Sequence, residues 1–234
     1  MFHIIRAAQR HTTDQGWLKT SWLFSFDDYI DPDNVRFGAL RVFNDDIVQP
    51  GAGFPTHPHR EMEIVTIPLS GAITHRDSLG NQATISAGEV QRMSAGVGVT
   101  HSEMNEGDVP VHFYQIWLFP HTAGLPPSYD QRRFAPAAWK NSLCPLASGD
   151  ALPGVVTLHS NATLYRADLE RGHTLEYPVA EGRYVFLYLT SGDLLLNGER
   201  LTPHDQARIC DMDRLYLLAH EVASFILIDL PPHA

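Results

Sequence analysis

Two pairs of residues in this 234-residue chain have the types and spacing to hold a metal ion: His57 and His59 in THPHR, and His101 and Glu103 in THSEM. In an extended strand residues i and i+2 share a face, so each pair aims two donors in one direction. If the two strands face each other, three imidazoles and a carboxylate converge and leave one or two coordination positions open, as in catalytic rather than structural sites. Spacing alone is weak evidence. With thirteen histidines in the chain, chance gives about 0.7 H-x-H pairs, and His59-Arg60-Glu61 repeats the H-x-E spacing with nothing else to mark it. The pairs need a framework around them.

That framework is a succession of short strands. FGALRVF (37–43), EIVTIPL (63–69), VHFYQIWLF (111–119), TLYRADL (163–169), YVFLYLT (184–190) and SFILIDL (224–230) are apolar or alternating runs rich in β-branched and aromatic residues. Between strand-like runs lie turn signals such as Ser70-Gly71, Leu79-Gly80-Asn81, Ala87-Gly88, Ser191-Gly192-Asp193 and Asn197-Gly198, spaced for hairpins rather than helical crossovers. No helical periodicity is sustained, so the pattern predicts an all-β sandwich or barrel. Residues 124–154, rich in Pro, Ser, Ala and Gly, read as a linker. On either side, IPLSGAITHRDSLGNQATISAGE and LYLTSGDLLLNGERLTPHDQARI share a strand, glycine turn, strand device, which suggests an internal duplication. The second copy lacks the histidines of the first, so a site is expected in the N-terminal half.

The histidine pairs sit in a recognisable setting. Gly51, five residues, His57-Pro58-His59, then Glu63 and Gly71 resemble the first motif of the cupin superfamily, with the glutamate one residue early relative to its glycine. Gly88, Gly96, His101 and Asn105 resemble the second, with Ser94 in place of the usual proline and two extra residues before the histidine. These departures match the pirin family, whose motifs carry H-x-H and then H-x-E. GWLKTSWLFSFDDYIDP, FGALRVFNDD, FPTHPHREMEIVTIPLSG, HRDSLGN, MSAGVGVTHSEMN and YQIWLFP followed by YDQRRF extend the resemblance from about residue 4 to about residue 134, and the C-terminal LIDLPP continues it more loosely. Trp22-Leu23 departs from a stretch that is usually more polar.

The resemblance implies a bicupin of two double-stranded β-helix (jelly-roll) barrels: residues 1–135 as the metal-binding barrel and residues 136–234 as a degenerate barrel without metal. It implies His57, His59, His101 and Glu103 as ligands, with Glu63 as the rival carboxylate because many other cupins take theirs from the first motif. Imidazole and carboxylate without thiolate suit Fe, Mn, Ni, Co, Cu or Zn; iron, as Fe(II), is expected because pirins usually carry it. The activity implied is a flavonol (quercetin) 2,3-dioxygenase that consumes O2 and releases carbon monoxide, with Glu103 also the general base. The alternative implied is a metal- and redox-sensing regulator acting through protein partners.

Composition narrows the rest. A formal charge of -10 argues against nucleic acid as a direct partner. Two cysteines, Cys144 and Cys210, make neither a C-x-x-C pair nor a disulfide framework, and with no apolar run of membrane-spanning length the expectation is a soluble, cytoplasmic protein. No G-x-S-x-G elbow, P-loop or dinucleotide fingerprint is present. Trp17, Trp22, Trp117, Phe113 and Tyr114 read as core packing, and Arg132 and Arg133 as solvated surface. His75, His112, His121, His159, His173, His204, His220 and His233 have no partner at ligand spacing and read as structural or exposed.

Overall fold

The alternating segments become two sandwiches of one plan in the computed structural model, which describes residues 1–232; His233 lies outside the described residues. In the N-terminal half a seven-stranded sheet runs Ser128–Arg133, Glu89–Ser94, Glu63–Ser70, Val111–Leu118, Leu40–Val48, Leu18–Trp22 and His11–Asp14. It packs on a four-stranded sheet of Gly53–His59, Val99–Met104, Ala72–Asp77 and Gln82–Ser86. Leu18, Val48, Val111 and Phe113 of the large sheet meet Ile73 and Ile85 of the small one between the layers.

The C-terminal half repeats the design. Its seven-stranded sheet is ordered Phe2–Ile5, Gln206–Ile209, Tyr184–Ser191, Ala223–Leu230, Thr163–Leu169, Cys144–Ser148 and Val156–Thr157, and its four-stranded sheet Thr174–Pro178, Arg214–Ala219, Leu194–Leu196 and Glu199–Leu201. Two short 3-10 turns, Ala7–Gln9 and Pro136–Trp139, are the helical elements among the described residues. The fold is therefore all-β with two cupin barrels. Among the described residues no helix is long and apolar enough to cross a membrane.

The two large sheets bury their outer faces against each other. Phe43 packs at a tilt 4.9 Å from Tyr188 and 5.3 Å from Phe186 by ring centroids, in a cluster that continues through Tyr114, Ile226 and Ile228. Each such side chain removed from water contributes about 1.5–3 kcal/mol, so the halves are joined by a core rather than a tether. Phe2–Ile5, though first in the chain, pairs with Gln206–Ile209 of the C-terminal sheet.

The segment 124–154, read as a linker from composition, is instead largely structured. Ser128–Arg133 is an edge strand on Glu89–Ser94, Pro136–Trp139 is a 3-10 turn, and Cys144–Ser148 joins the C-terminal sheet. An edge strand with half-exposed faces has little need of apolar alternation, and its backbone pairing leaves no mark in composition.

Candidate metal centre

Strands Gly53–His59 and Val99–Met104 run antiparallel, with His57 opposite His101 and His59 opposite Val99. The alternation that puts His57 and His59 on one face thus meets His101 directly across the ladder. Ring centroids are 4.8 Å apart for His57 and His59, 4.5 Å for His57 and His101, and 4.9 Å for His59 and His101. One nitrogen of each lies within 4.8 Å of the other two. The register shifts between His101 and Glu103, so Glu103 is offset toward a second group in which it comes within the same distance of His101 and His75.

The hydrogen bonds fix which nitrogens are free. His57 Nδ1 donates to the Pro55 carbonyl at 2.7 Å, leaving Nε2 as the nitrogen not engaged by that bond. His101 Nδ1 lies 3.4 Å from His75 Nδ1, and His75 Nε2 lies 3.0 Å from Asp77 Oδ2. A proton on His75 Nε2 bonded to Asp77 leaves His75 Nδ1 to accept from His101, so His101 Nε2 is the unprotonated nitrogen. Burial disfavours ionisation of Asp77, but hydrogen bonds from His75, Asn81 and Leu79 outweigh it and hold its carboxyl below the usual range. Nε2 of both His59 and His101 is buried without a hydrogen-bond partner among the described residues. Buried orphans on neutral imidazoles are what a divalent cation would satisfy, so the donor set fits a metal.

Electrostatics favours that use. Burial, followed by repulsion from His57, pushes His59 down to about 4; burial, then His57, His59 and His75, pushes His101 down to about 2. Both rings are neutral at physiological pH, so no proton need leave them for a metal to bind. Glu103, 2% exposed, reaches across to the large sheet, where Thr66 Oγ1 lies 3.2 Å from its Oε1 and Gln115 Nε2 donates to Oε2 at 2.7 Å. Burial nonetheless lifts its carboxyl to about 7 against those two bonds. Glu63 is elsewhere. Its Oε2 accepts the His159 backbone N–H at 2.9 Å and its carboxylate lies 3.9 Å from Arg92, away from the three imidazoles.

These residues open on a cavity of about 580 Å³ walled by Trp17, Trp22, Phe26, Phe54 and Trp117, with Asn44, Asp46 and Gln115 as polar groups on the large-sheet side. The size and mix suit a small organic ligand. Trp17, Trp22 and Trp117, read from sequence as core packing, are therefore cavity walls; Trp117 stands edge-on to His59 at 4.8 Å. Phe113 and Tyr114 are fully buried packing residues. Arg132 and Arg133 form surface ion pairs with Asp130 and Glu89. His75, read as unpartnered, is fully buried behind His101. His75-Arg76-Asp77 has the same one-residue alternation as His101-Ser102-Glu103, which was the signal available. Asp46 and Asn44 carried no such signal.

The comparisons with known proteins agree with this architecture. The family model described as Pirin matches residues 5–118, and that described as Quercetinase C-terminal cupin domain matches residues 145–230. A protein named quercetin 2,3-dioxygenase from Escherichia coli (strain K12) is 38% identical over 233 residues, covering 99% of this chain and 100% of the relative. A pirin-like protein of Caulobacter vibrioides is 41% identical over 221 residues, covering 92% and 94%. The crystal structure of the bacterial pirin YhhW from Escherichia coli in complex with nickel(II) matches with a TM-score of 0.94 at 38% identity, over 99% of this chain and 100% of that one.

Proposed function

This chain belongs to the pirin family, and from that premise we propose that it is a metal-dependent dioxygenase that cleaves flavonols such as quercetin. In this reading residues 1–135 form the metal-binding barrel and residues 136–234 a supporting barrel without metal. His57, His59, His101 and Glu103 hold one divalent ion, which we take to be Fe(II); the nickel in the Escherichia coli relative keeps nickel among the alternatives with Mn, Co, Cu and Zn. The observation that carries the reading is the convergence of three imidazoles, two of them held neutral and with orphaned nitrogens, and a buried carboxyl on an aromatic-walled cavity.

When bound, the ion supplies Lewis-acid and redox chemistry at that corner of the cavity. The protein's own contribution is position and proton control. Trp17, Phe26 and Trp117 offer flat apolar surfaces for a planar ring system and exclude water from it. Glu103 takes the proton of the flavonol 3-hydroxyl onto a carboxylate oxygen; a carboxyl held near neutrality by burial is suited to that task. Gln115 and Thr66 keep the carboxyl oriented through the transfer. Overall one O2 is consumed, both atoms enter the opened ester product, and one ring carbon leaves as carbon monoxide.

The test is oxygen uptake by metal-loaded protein with quercetin, compared with His57→Ala, together with assay for carbon monoxide. Uptake with carbon monoxide that is lost in the variant supports the dioxygenase. One metal per chain without uptake on any flavonol overturns it and leaves the sensing role, in which partner affinity follows the oxidation state of the metal.

A further inference from the structure

We propose that Asp46, with Asn44, forms a specificity subsite on the wall opposite the imidazoles that recognises a neutral ring hydroxyl of the substrate, remote from the edge that meets the metal. The proposal rests on the flavonol reading and adds to it the reason a polyhydroxylated ring would be chosen.

Asn44 and Asp46 lie two apart on Leu40–Val48 and so share a face. That face borders the cavity, whereas the histidines approach from the small sheet. Both residues are almost wholly buried, at 4% and 3% exposure. Each is left short of partners. Asn44 Oδ1 makes no hydrogen bond among the described residues. Asp46 accepts one, from the Thr20 hydroxyl across the ladder, and no Lys, Arg or His among the described residues pairs with it. A buried carboxyl without a cation and a buried amide oxygen without a donor are costly to maintain, by about 1–3 kcal/mol for each unmet group. Polar groups left open in a mainly apolar pocket are the ones that fix a ligand's orientation.

The chemistry of the pair selects the ligand group. Burial and the nearby Asp45 and Glu103 carboxyls favour the neutral acid at Asp46, opposed by the Thr20 hydrogen bond. The acid donates one hydrogen bond and the Asn44 carbonyl oxygen accepts another. A hydroxyl both accepts and donates, so it satisfies the two together. A carboxylate, sulfate or phosphate on the ring would instead enter a cavity lined by Asp27, Asp46 and Glu103 with no Lys or Arg among its lining residues, and is excluded. A ring bearing only hydrogen would leave both groups unpaired, which discriminates more strongly than a lost apolar contact.

Binding is read directly, because Trp17, Trp22 and Trp117 line the cavity and their fluorescence is quenched by a bound flavonol. Metal-loaded protein under nitrogen, where no turnover occurs, is titrated with quercetin and with 3-hydroxyflavone, which keeps the metal-binding edge and lacks the other hydroxyls. Wild type is expected to bind quercetin about tenfold more tightly. Asp46→Leu should abolish that preference while leaving 3-hydroxyflavone affinity within about twofold, and Asp46→Asn, which can still donate, should retain most of it. Asn44→Leu removes the orphaned oxygen without touching an ionisable group and should give the same selective loss, so the outcome does not depend on one variant folding. Equal losses for the two flavonols, or none, overturn the subsite but not the flavonol reading. Failure of wild type to bind either flavonol overturns both.

Discussion

His101 meets more constraints than any other side chain in the cavity: a neutral ring by burial and neighbouring imidazoles, a fixed tautomer by His75 and Asp77, and an orphaned Nε2. The carboxylate that completes such a set should be the one that shares its cavity. Glu103→Gln should therefore lower bound metal at least tenfold in affinity, whereas Glu63→Gln, whose parent carboxylate is engaged by His159 and Arg92, should leave the metal in place. Metal analysis after dialysis decides, and loss confined to Glu63→Gln would reverse the assignment. Asp46 makes a different prediction. Its carboxyl is pushed up to about 8 from an ordinary 3.8, by burial first and then Asp45 and Glu103, against the Thr20 bond. A raised folded value means the folded chain keeps a proton that the unfolded chain releases, so this contribution is full below about pH 4, drains away from there to about 8, and is absent above. Asp46→Asn should hence leave the melting temperature of metal-free protein nearly unchanged near pH 4 and raise it by about 3 °C or more at pH 9. Thermal melts across that range check it; a gain that does not grow with pH contradicts it. The H-x-H and H-x-E pairs were legible because strand alternation puts the two members of each pair on one face and the surrounding motifs resemble those of a known family. His75 and Asp46 were not, because their significance comes from strand pairing and cavity shape, which a linear pattern does not contain.

Strand Gly53–His59 brings its histidines to His101 only because its first residue has no side chain. Gly53 has φ +157°, and a Cβ there would lie 2.2 Å from the Glu103 carbonyl oxygen and 2.7 Å from Met104 Cα. The neighbour is backbone of Val99–Met104, so it cannot give without moving Glu103. Gly53→Ala should cost about 1–3 kcal/mol in urea unfolding and lower metal affinity as well. Gly172→Ala is the control: it has φ +78° with nothing within 4 Å of the added carbon, so it should cost stability while metal affinity stays at wild type. Unchanged metal affinity in Gly53→Ala would show that the approach of the two strands does not set the site. Element identity was legible wherever a strand is central, as in Glu63–Ser70 or Ala223–Leu230, which bury nearly every residue. It was lost in Ser128–Arg133, where no residue is fully buried and the strand exists because Glu89–Ser94 offers it a ladder.

Two barrels of similar plan differ in what fills them. The C-terminal interior is packed with Val185, Leu187, Leu189, Leu194, Leu215, Leu217 and Phe225, and both potential ligand groups found among the described residues lie in the N-terminal half. The second barrel contributes surface to the first, through the Phe43, Tyr114, Phe186 and Tyr188 rings and through Tyr188 Oη, which donates to Asp45 at 2.6 Å. Asp45 adjoins Asp46 on Leu40–Val48, so that strand joins the barrel interface to the cavity wall. Stability and metal binding should then be properties of the whole chain. Phe186→Ala, which empties the shared core on the C-terminal side, is expected to cost about 3–5 kcal/mol and to leave one cooperative transition. Tryptophan fluorescence, three of whose four reporters line the N-terminal cavity, and far-UV circular dichroism, which averages both barrels, should remain coincident in urea. If the two signals separate, with the cavity tryptophans unperturbed while half the β-signal is lost, the barrels are energetically independent and the interface does not support the site.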